Sequence, residues 1–326
     1  MPSRAHPLPP GTVLPCIVGP TAVGKTAVAS RLAGRLGAEV VSIDSMQIYR
    51  FMDIGTSKPT LEEMSLTRFH LIGVADPREN FSASAFKTLA VTAIGEILKR
   101  GLRPLLVGGS GLYLRAVIDD LDFAGTPHVM THDHSLLADH ELHALLVELD
   151  PVSAASIPPS NRRRVLRALE VAIAGNRLIS QRQRSWEKYL SPYDPVIVGL
   201  DMDRALLYRL IDRRVDLMVA SGLEDEVRSL YDAGVLKPGT TAGEALGYKQ
   251  VLGFLKGSAG WEETVALIKR RTRNYAKRQL TWFRKDPRIK WFTVEGKATD
   301  SPERVRESLG KTAERVLEYL LVKLEN

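Results

Sequence analysis

Over the first 120 residues, short apolar runs alternate with amphipathic stretches. Residues 13–18 are apolar and feed a glycine-rich turn, 27–36 continue as a helix, and 39–43 form a second apolar run ending at Asp44. Between 82 and 100, Phe86, Leu89, Ala90, Ala93, Ile94, Ile97 and Leu98 recur with the helical period. Ser82 is placed to cap that helix and Gly101 to stop it. Residues 105–107 return to a buried strand. Such alternation predicts a parallel sheet covered by helices.

Past Asp120 the pattern changes. Residues 122–191 hold no strand pattern but two helical ones, 140–149 and 161–174, the second entered through Pro158-Pro159 and closed by Gly175-Asn176. Strand character returns at 196–200, followed by a helix over 204–220, a strand at 289–294 and a final helix at 302–324. The predicted organisation is an α/β core built from 11–120 and 195–326, a helical insertion over 121–194, and a disordered lead-in over 1–10.

Composition narrows the class. Of 326 residues, 44% are hydrophobic and 25% charged, as in ordinary globular proteins. No apolar run approaches the roughly 20 residues that span a bilayer, and the N-terminus lacks the apolar centre of a signal peptide. A single cysteine, Cys16, excludes an internal disulfide and points to the cytoplasm. Its place in the strand before the glycine-rich turn suggests a core residue.

Charge is unevenly spread. Residues 160–190 carry eight Lys/Arg against two acids and 269–290 carry ten against one, so these stretches hold +15 of a chain whose net charge is +7. The remainder is acidic, and the two basic segments suggest a polyanionic partner. Written as a helix, Arg270, Lys277 and Arg284 form one seven-residue row and Arg271, Arg278 and Lys285 another, bordering a broad cationic side.

The specific chemistry begins at Gly19-Pro-Thr-Ala-Val-Gly-Lys-Thr26, which fits G-x-x-x-x-G-K-[ST] with a strand before it and a helix after it. Its glycines let backbone N–H groups converge on phosphate oxygens at a helix N-terminus. Lys25 adds a charge and Thr26 a hydroxyl for Mg²⁺. The pattern specifies a phosphate site without specifying ATP. Asp44, at a strand's carboxyl end, faces the ligand crevice of such a sheet, where it can act as a base, assist Mg²⁺ or cap a helix. Ser110, in Gly108-Gly-Ser-Gly-Leu-Tyr-Leu-Arg115, follows another strand toward the same crevice. His128, His132, His134, His140 and His143 crowd one segment but match no zinc spacing.

Seven segments together resemble one family. They are the glycine-rich loop, Asp44-Ser-Met-Gln-Ile-Tyr-Arg50, Met52-Asp-Ile-Gly-Thr-Ser-Lys-Pro59, the Gly108 segment, Arg162-Arg-Arg-Val-Leu-Arg-Ala-Leu-Glu-Val171, Leu246-Gly-Tyr-Lys-Gln250 and Thr272-Arg-Asn-Tyr-Ala-Lys-Arg-Gln-Leu-Thr-Trp-Phe-Arg284. In this order, from residue 14 to about 295, they resemble the bacterial tRNA dimethylallyltransferases, the tRNA isopentenyltransferase family.

The resemblance implies a P-loop NTPase-like core whose helical insertion contacts the tRNA anticodon stem-loop. Gly19, Thr21, Ala22, Val23, Gly24, Lys25 and Thr26 would hold the diphosphate of dimethylallyl diphosphate, with Mg²⁺ against Thr26. Asp44 would take the proton from the adenine N6 amine of the adenosine 3′ to the anticodon. Ser110 would touch that amine, while Lys25 and Arg214 would stabilise the leaving group. Contacts to tRNA would come from Asp44, Ser45, Met46 and Gln47, from Arg163, Arg164 and Arg167, and from Lys277, Arg278, Gln279 and Arg284. A monomer without membrane attachment is expected. Ser110 stands where many relatives have threonine, and 123–150 matches poorly. Two other functions share parts of the pattern: prenyl transfer to a free adenine nucleotide, and a P-loop kinase or NTPase acting on RNA.

Overall fold

The computed structural model describes residues 7–123, 137–173, 178–181 and 188–325. β1 (Val13–Val18), β2 (Ala38–Ile43), β3 (Phe69–His70), β4 (Arg103–Gly108), β5 (Asp194–Met202) and β6 (Lys290–Val294) form one parallel sheet. Their order is β3-β2-β4-β1-β5-β6. Its strands read as continuous apolar runs because both faces are covered. Leu14, Cys16 and Val18 enter one core cluster and Ile17 the other, as alternation along a strand requires.

The chain divides into two compact units, residues 1–120 with 191–326, and residues 121–190. In the first, α1 (Lys25–Leu36), α2 (Leu61–Leu66), α3 (Ala83–Lys99) and α4 (Gly111–Ile118) precede the insertion. The insertion packs α5 (Asp139–Leu149), α6 (Pro151–Ser156) and α7 (Arg162–Ile173) around Leu142, Leu146, Val165 and Leu169. Back in the first unit follow α8 (Arg204–Ala220), α9 (Leu223–Asp232), α10 (Tyr248–Leu255), α11 (Trp261–Phe283) and α12 (Pro302–Glu325).

Local rules explain the elements. On α3, Ser82 Oγ accepts the Ala85 N–H at 3.1 Å, and Phe86, Ala90, Ala93, Ile94 and Ile97 are buried. Leu89, at the edge of the stripe, is 39% exposed. The disordered lead-in expected through residue 10 is corrected at Leu8, which is 3% exposed and packs in the first core cluster. Its flanking prolines masked an apolar anchor. The insertion ends at 190, not 194, because Ser191 already hydrogen-bonds Ile118 and Asp194 opens β5. Among the described residues, no helix is long and apolar enough to cross a membrane.

What matters for function is where the strands stop. Gly108 at the end of β4 registers with Val18 of β1 on one side and Ile43 of β2 on the other. The loops that follow these three strands therefore leave the same sheet edge at the same level, where open parallel sheets bind ligands.

Candidate active site

The loop after β1 reaches α1 through Gly24, whose φ of 94° lies in the left-handed region that a side chain disfavours. The helix that starts there aims its N-terminus at a cleft of about 330 Å³ lined by Thr21, Ala22, Gly24, Lys25 and Thr26. Lys25 Nζ donates to the carbonyls of Gly19 at 3.0 Å and Pro20 at 2.7 Å. Burial lowers its pKa to about 7; Asp44 opposes that shift and Arg214 adds to it. The Val23 side chain is fully buried in the second core cluster, so only its backbone can meet an anion.

Arg214, from α8, is the second cation. Its Nε donates to Ser57 Oγ at 2.6 Å and a terminal nitrogen to Thr21 Oγ1 at 3.0 Å. Burial depresses its pKa, with Asp44 and Glu63 pulling the other way. Lys25, Lys58 and Arg214 against Asp44 and Glu63 leave the cleft net positive, which suits a polyanion.

Asp44, at the end of β2, turns the chain: Oδ1 accepts the N–H of Met46 at 2.8 Å and of Gln47 at 3.2 Å. Oδ2 has no hydrogen-bond partner among the described residues, so one oxygen shapes the turn and the other remains for chemistry. Ser110 Oγ, after β4, accepts the Ser45 N–H at 3.1 Å. The Tyr275 hydroxyl, from α11, lies beside Ser110 and Gln279; burial, then Asp44, raises its pKa.

A second cleft, of about 300 Å³, adjoins the first and is more apolar, with Met46, Ile211, Val215, Met218 and Leu246 in its wall. Thr21, Asp44, Arg214 and Tyr275 line both clefts. Among these four, only Asp44 carries a carboxylate; the others are two hydroxyls and a guanidinium.

The residues expected to touch RNA divide between two bracing glutamines and a set of surface cations. Gln279 is 6% exposed; its carbonyl accepts the Thr21 N–H at 2.8 Å and its amide donates to Gly109 at 2.9 Å. It braces the glycine-rich loop against the loop after β4 while still lining the first cleft. Gln47 donates to the carbonyls of Thr56 and Ser57 and accepts from Ser42. Lys277 and Arg278 are exposed on α11, while Arg284, 62% exposed at its side chain, pairs with Asp201 at 2.8 Å. In the insertion, Arg163 and Arg164 are exposed and Arg167 pairs with Glu170 at 2.9 Å. His143 sits 3.2 and 3.0 Å from the carbonyls of Ala154 and Ile157, whereas His128, His132 and His134 lie outside the described residues. Cys16 is fully buried, which pushes its thiol pKa up.

Glu226, on α9, is a positioning residue the sequence did not reveal. Its carboxylate accepts the N–H groups of Asp53, Ile54 and Gly55 at 2.9, 2.8 and 3.1 Å and the Tyr248 hydroxyl at 2.6 Å. It thereby fixes the loop that brings Ser57 to Arg214. Glu226→Ala strands four donors, and a hydrogen bond to a charged group is worth about 1.5–3 kcal/mol. Denaturant melts are expected to show a loss of at least ~2 kcal/mol, accompanied by weaker pyrophosphate binding. An unchanged melt contradicts this role.

Residues 47–286 match the model of the IPP transferase family. The chain is 46% identical over 287 residues to the tRNA dimethylallyltransferase of Halalkalibacterium halodurans, covering 86% of this chain and 91% of that one. It is 44% identical over 285 residues to that of Bacillus subtilis, covering 85% and 90%. Its fold is similar to the crystal structure of the full-length tRNA isopentenylpyrophosphate transferase from Bacillus halodurans, with a TM-score of 0.67, 42% identity, and 96% and 99% of the two chains covered. A eukaryotic dimethylallyltransferase acting on tRNA aligns with a TM-score of 0.73 at 27% identity, covering 89% and 75%. With a cationic cleft, an apolar cleft and one shared carboxylate, the chain belongs to the IPP transferase family, that of the tRNA dimethylallyltransferases.

Proposed function

We propose that this chain transfers a dimethylallyl group from dimethylallyl diphosphate to N6 of the adenosine at position 37, 3′ to the anticodon, of tRNA and releases diphosphate. The observation that carries this reading is the meeting of the two clefts at Asp44, Arg214, Thr21 and Tyr275. A diphosphate in the cationic cleft places its prenyl C1 near that junction, and an adenine entering from the apolar cleft brings N6 to it. The base must leave the anticodon stack to enter, as in other base-modifying enzymes.

In the reaction, N6 bonds to C1 as the C1–oxygen bond to diphosphate breaks. Asp44 receives the N6 proton, and Lys25, Arg214 and the α1 N-terminus stabilise the charge gathering on the departing diphosphate. Ser110 and Tyr275 orient the amine. Thr26 and the phosphate oxygens fit a Mg²⁺ ion, which takes few protein ligands when phosphate supplies the rest. When bound, the ion would offset diphosphate charge.

The exposed cations of α11 and of Arg163 and Arg164 supply the charge that a tRNA requires. Lys277→Ala is expected to weaken tRNA binding and to flatten the slope of log affinity against log salt by about 0.7–0.9, the share of one phosphate contact. Thermal melting is expected to hold, since an exposed charge contributes little to stability. Parallel salt slopes with equal affinity would mark the face as merely solvated. Acting as a monomer in the cytoplasm, the enzyme would need no second chain to complete the site. Tested with tRNA, AMP and ATP side by side, it is expected to prenylate tRNA alone. Prenylated AMP identifies a free-nucleotide enzyme, and RNA-stimulated ATP hydrolysis identifies an NTPase.

A further inference from the structure

Trp282, near the end of α11, is 46% exposed, whereas its neighbour Phe283 is 2% exposed. The edge of the indole rests on the backbone of Gly111, where a Cβ would come within 2.0 Å of Nε1. The rest of the ring borders a groove of about 420 Å³, whose other walls are Asn274, Lys277, Arg278, Thr281 and Lys285. An open indole among three cations and two hydrogen-bonding side chains, with no acid in the lining, has the makeup of a single-stranded nucleic-acid site. Arg278 also lines the apolar cleft at the reaction junction, so the groove leads to the point where the adenine enters.

We infer that Trp282 is a stacking platform for an unpaired base of the RNA loop, the one next to the adenosine drawn into the apolar cleft. Extracting one base exposes the face of its neighbour, and an aromatic ring at the cleft mouth replaces the lost stack. Lys277, Arg278 and Lys285 hold the backbone that carries both nucleotides. The inference rests on the tRNA reading and adds to it a residue that selects an opened loop conformation.

The test uses the full chain and an anticodon stem-loop RNA. Binding is measured over a salt series for the wild type, Trp282→Phe and Trp282→Ala, beside the affinity of each for pyrophosphate. Trp282→Ala is expected to weaken stem-loop binding by ~5- to 100-fold, the range for losing one stacked base, while Trp282→Phe retains most of the affinity. The salt slope is expected to stay parallel to the wild type, because no phosphate contact is removed. Pyrophosphate affinity is expected to be unchanged, and tryptophan emission quenched by RNA in the wild type is expected to lose that response in Trp282→Phe. Equal stem-loop affinity for the wild type and Trp282→Ala overturns the inference. So does a loss shared by pyrophosphate, which would make the indole a prop for Gly111 beside Ser110. A wild type that neither binds nor prenylates the stem-loop sinks the tRNA reading itself; an active wild type with a silent Trp282 sinks only the stacking.

Discussion

Asp44→Asn is expected to lower the rate of prenyl transfer by ~10²–10⁴-fold, the usual contribution of a positioned general base. The substitution isolates proton acceptance because the carbonyl oxygen of asparagine can keep the bonds from the Met46 and Gln47 N–H groups that shape the turn. What changes is the other oxygen, which becomes an amide. Removing the carboxylate also removes its repulsion of a diphosphate beside Lys25 and Arg214, so pyrophosphate affinity is expected to hold or rise. Single-turnover transfer and equilibrium binding, measured on the same preparation, separate the two effects. Near-normal turnover in Asp44→Asn would remove Asp44 from the role of base.

The second large effect concerns Lys25. Truncating it to alanine is expected to weaken pyrophosphate and dimethylallyl diphosphate alike by ~30- to 4,000-fold, since losing one partner of a desolvated charge pair costs about 2–5 kcal/mol. Its depressed pKa adds a pH signature. Burial, helped by Arg214, brings the pKa of the lysine to about 7, against a restoring pull from Asp44. A bound diphosphate places negative charge beside the ammonium and raises that pKa. Above about pH 7, binding must then take up a proton, and affinity is expected to fall as pH rises, by up to tenfold per unit. The ionisation of the ligand is common to every variant, so the difference between wild type and Lys25→Gln isolates the lysine. Calorimetry in buffers of different ionisation enthalpy reads the proton directly. Identical uptake in the two proteins would contradict the assignment.

These two residues were legible in the sequence because their positions follow from strand ends. A glycine-rich turn after one apolar run, an aspartate after the next and a serine after a third converge once the strands are parallel and in register. The bracing role of Gln279 was overlooked because the rows of charge on α11 drew attention to one side of the helix. Its spacing of three from Ala276 and four to Phe283, both buried, puts it on the opposite, apolar stripe, and that signal was available. Glu226 was not legible at all. More than 170 residues separate it from the Asp53 and Ile54 N–H groups it receives, and no local pattern links a helix-borne glutamate to a distant loop. Leu8 was hidden by composition, since prolines on both sides read as solvent-facing chain. The two-residue strand Phe69–His70 is too short for any periodicity to register.

The most direct measurement of the central claim is the site and identity of the acceptor atom. Unmodified tRNA and dimethylallyl diphosphate labelled in the prenyl group would be incubated with the enzyme, and the RNA digested and examined by mass spectrometry. The expected result is one dimethylallyl group per acceptor tRNA, on N6 of the adenosine 3′ to the anticodon, with one diphosphate released for each transfer. No label on tRNA, or label on free adenine nucleotide in preference to tRNA, would contradict the proposed function.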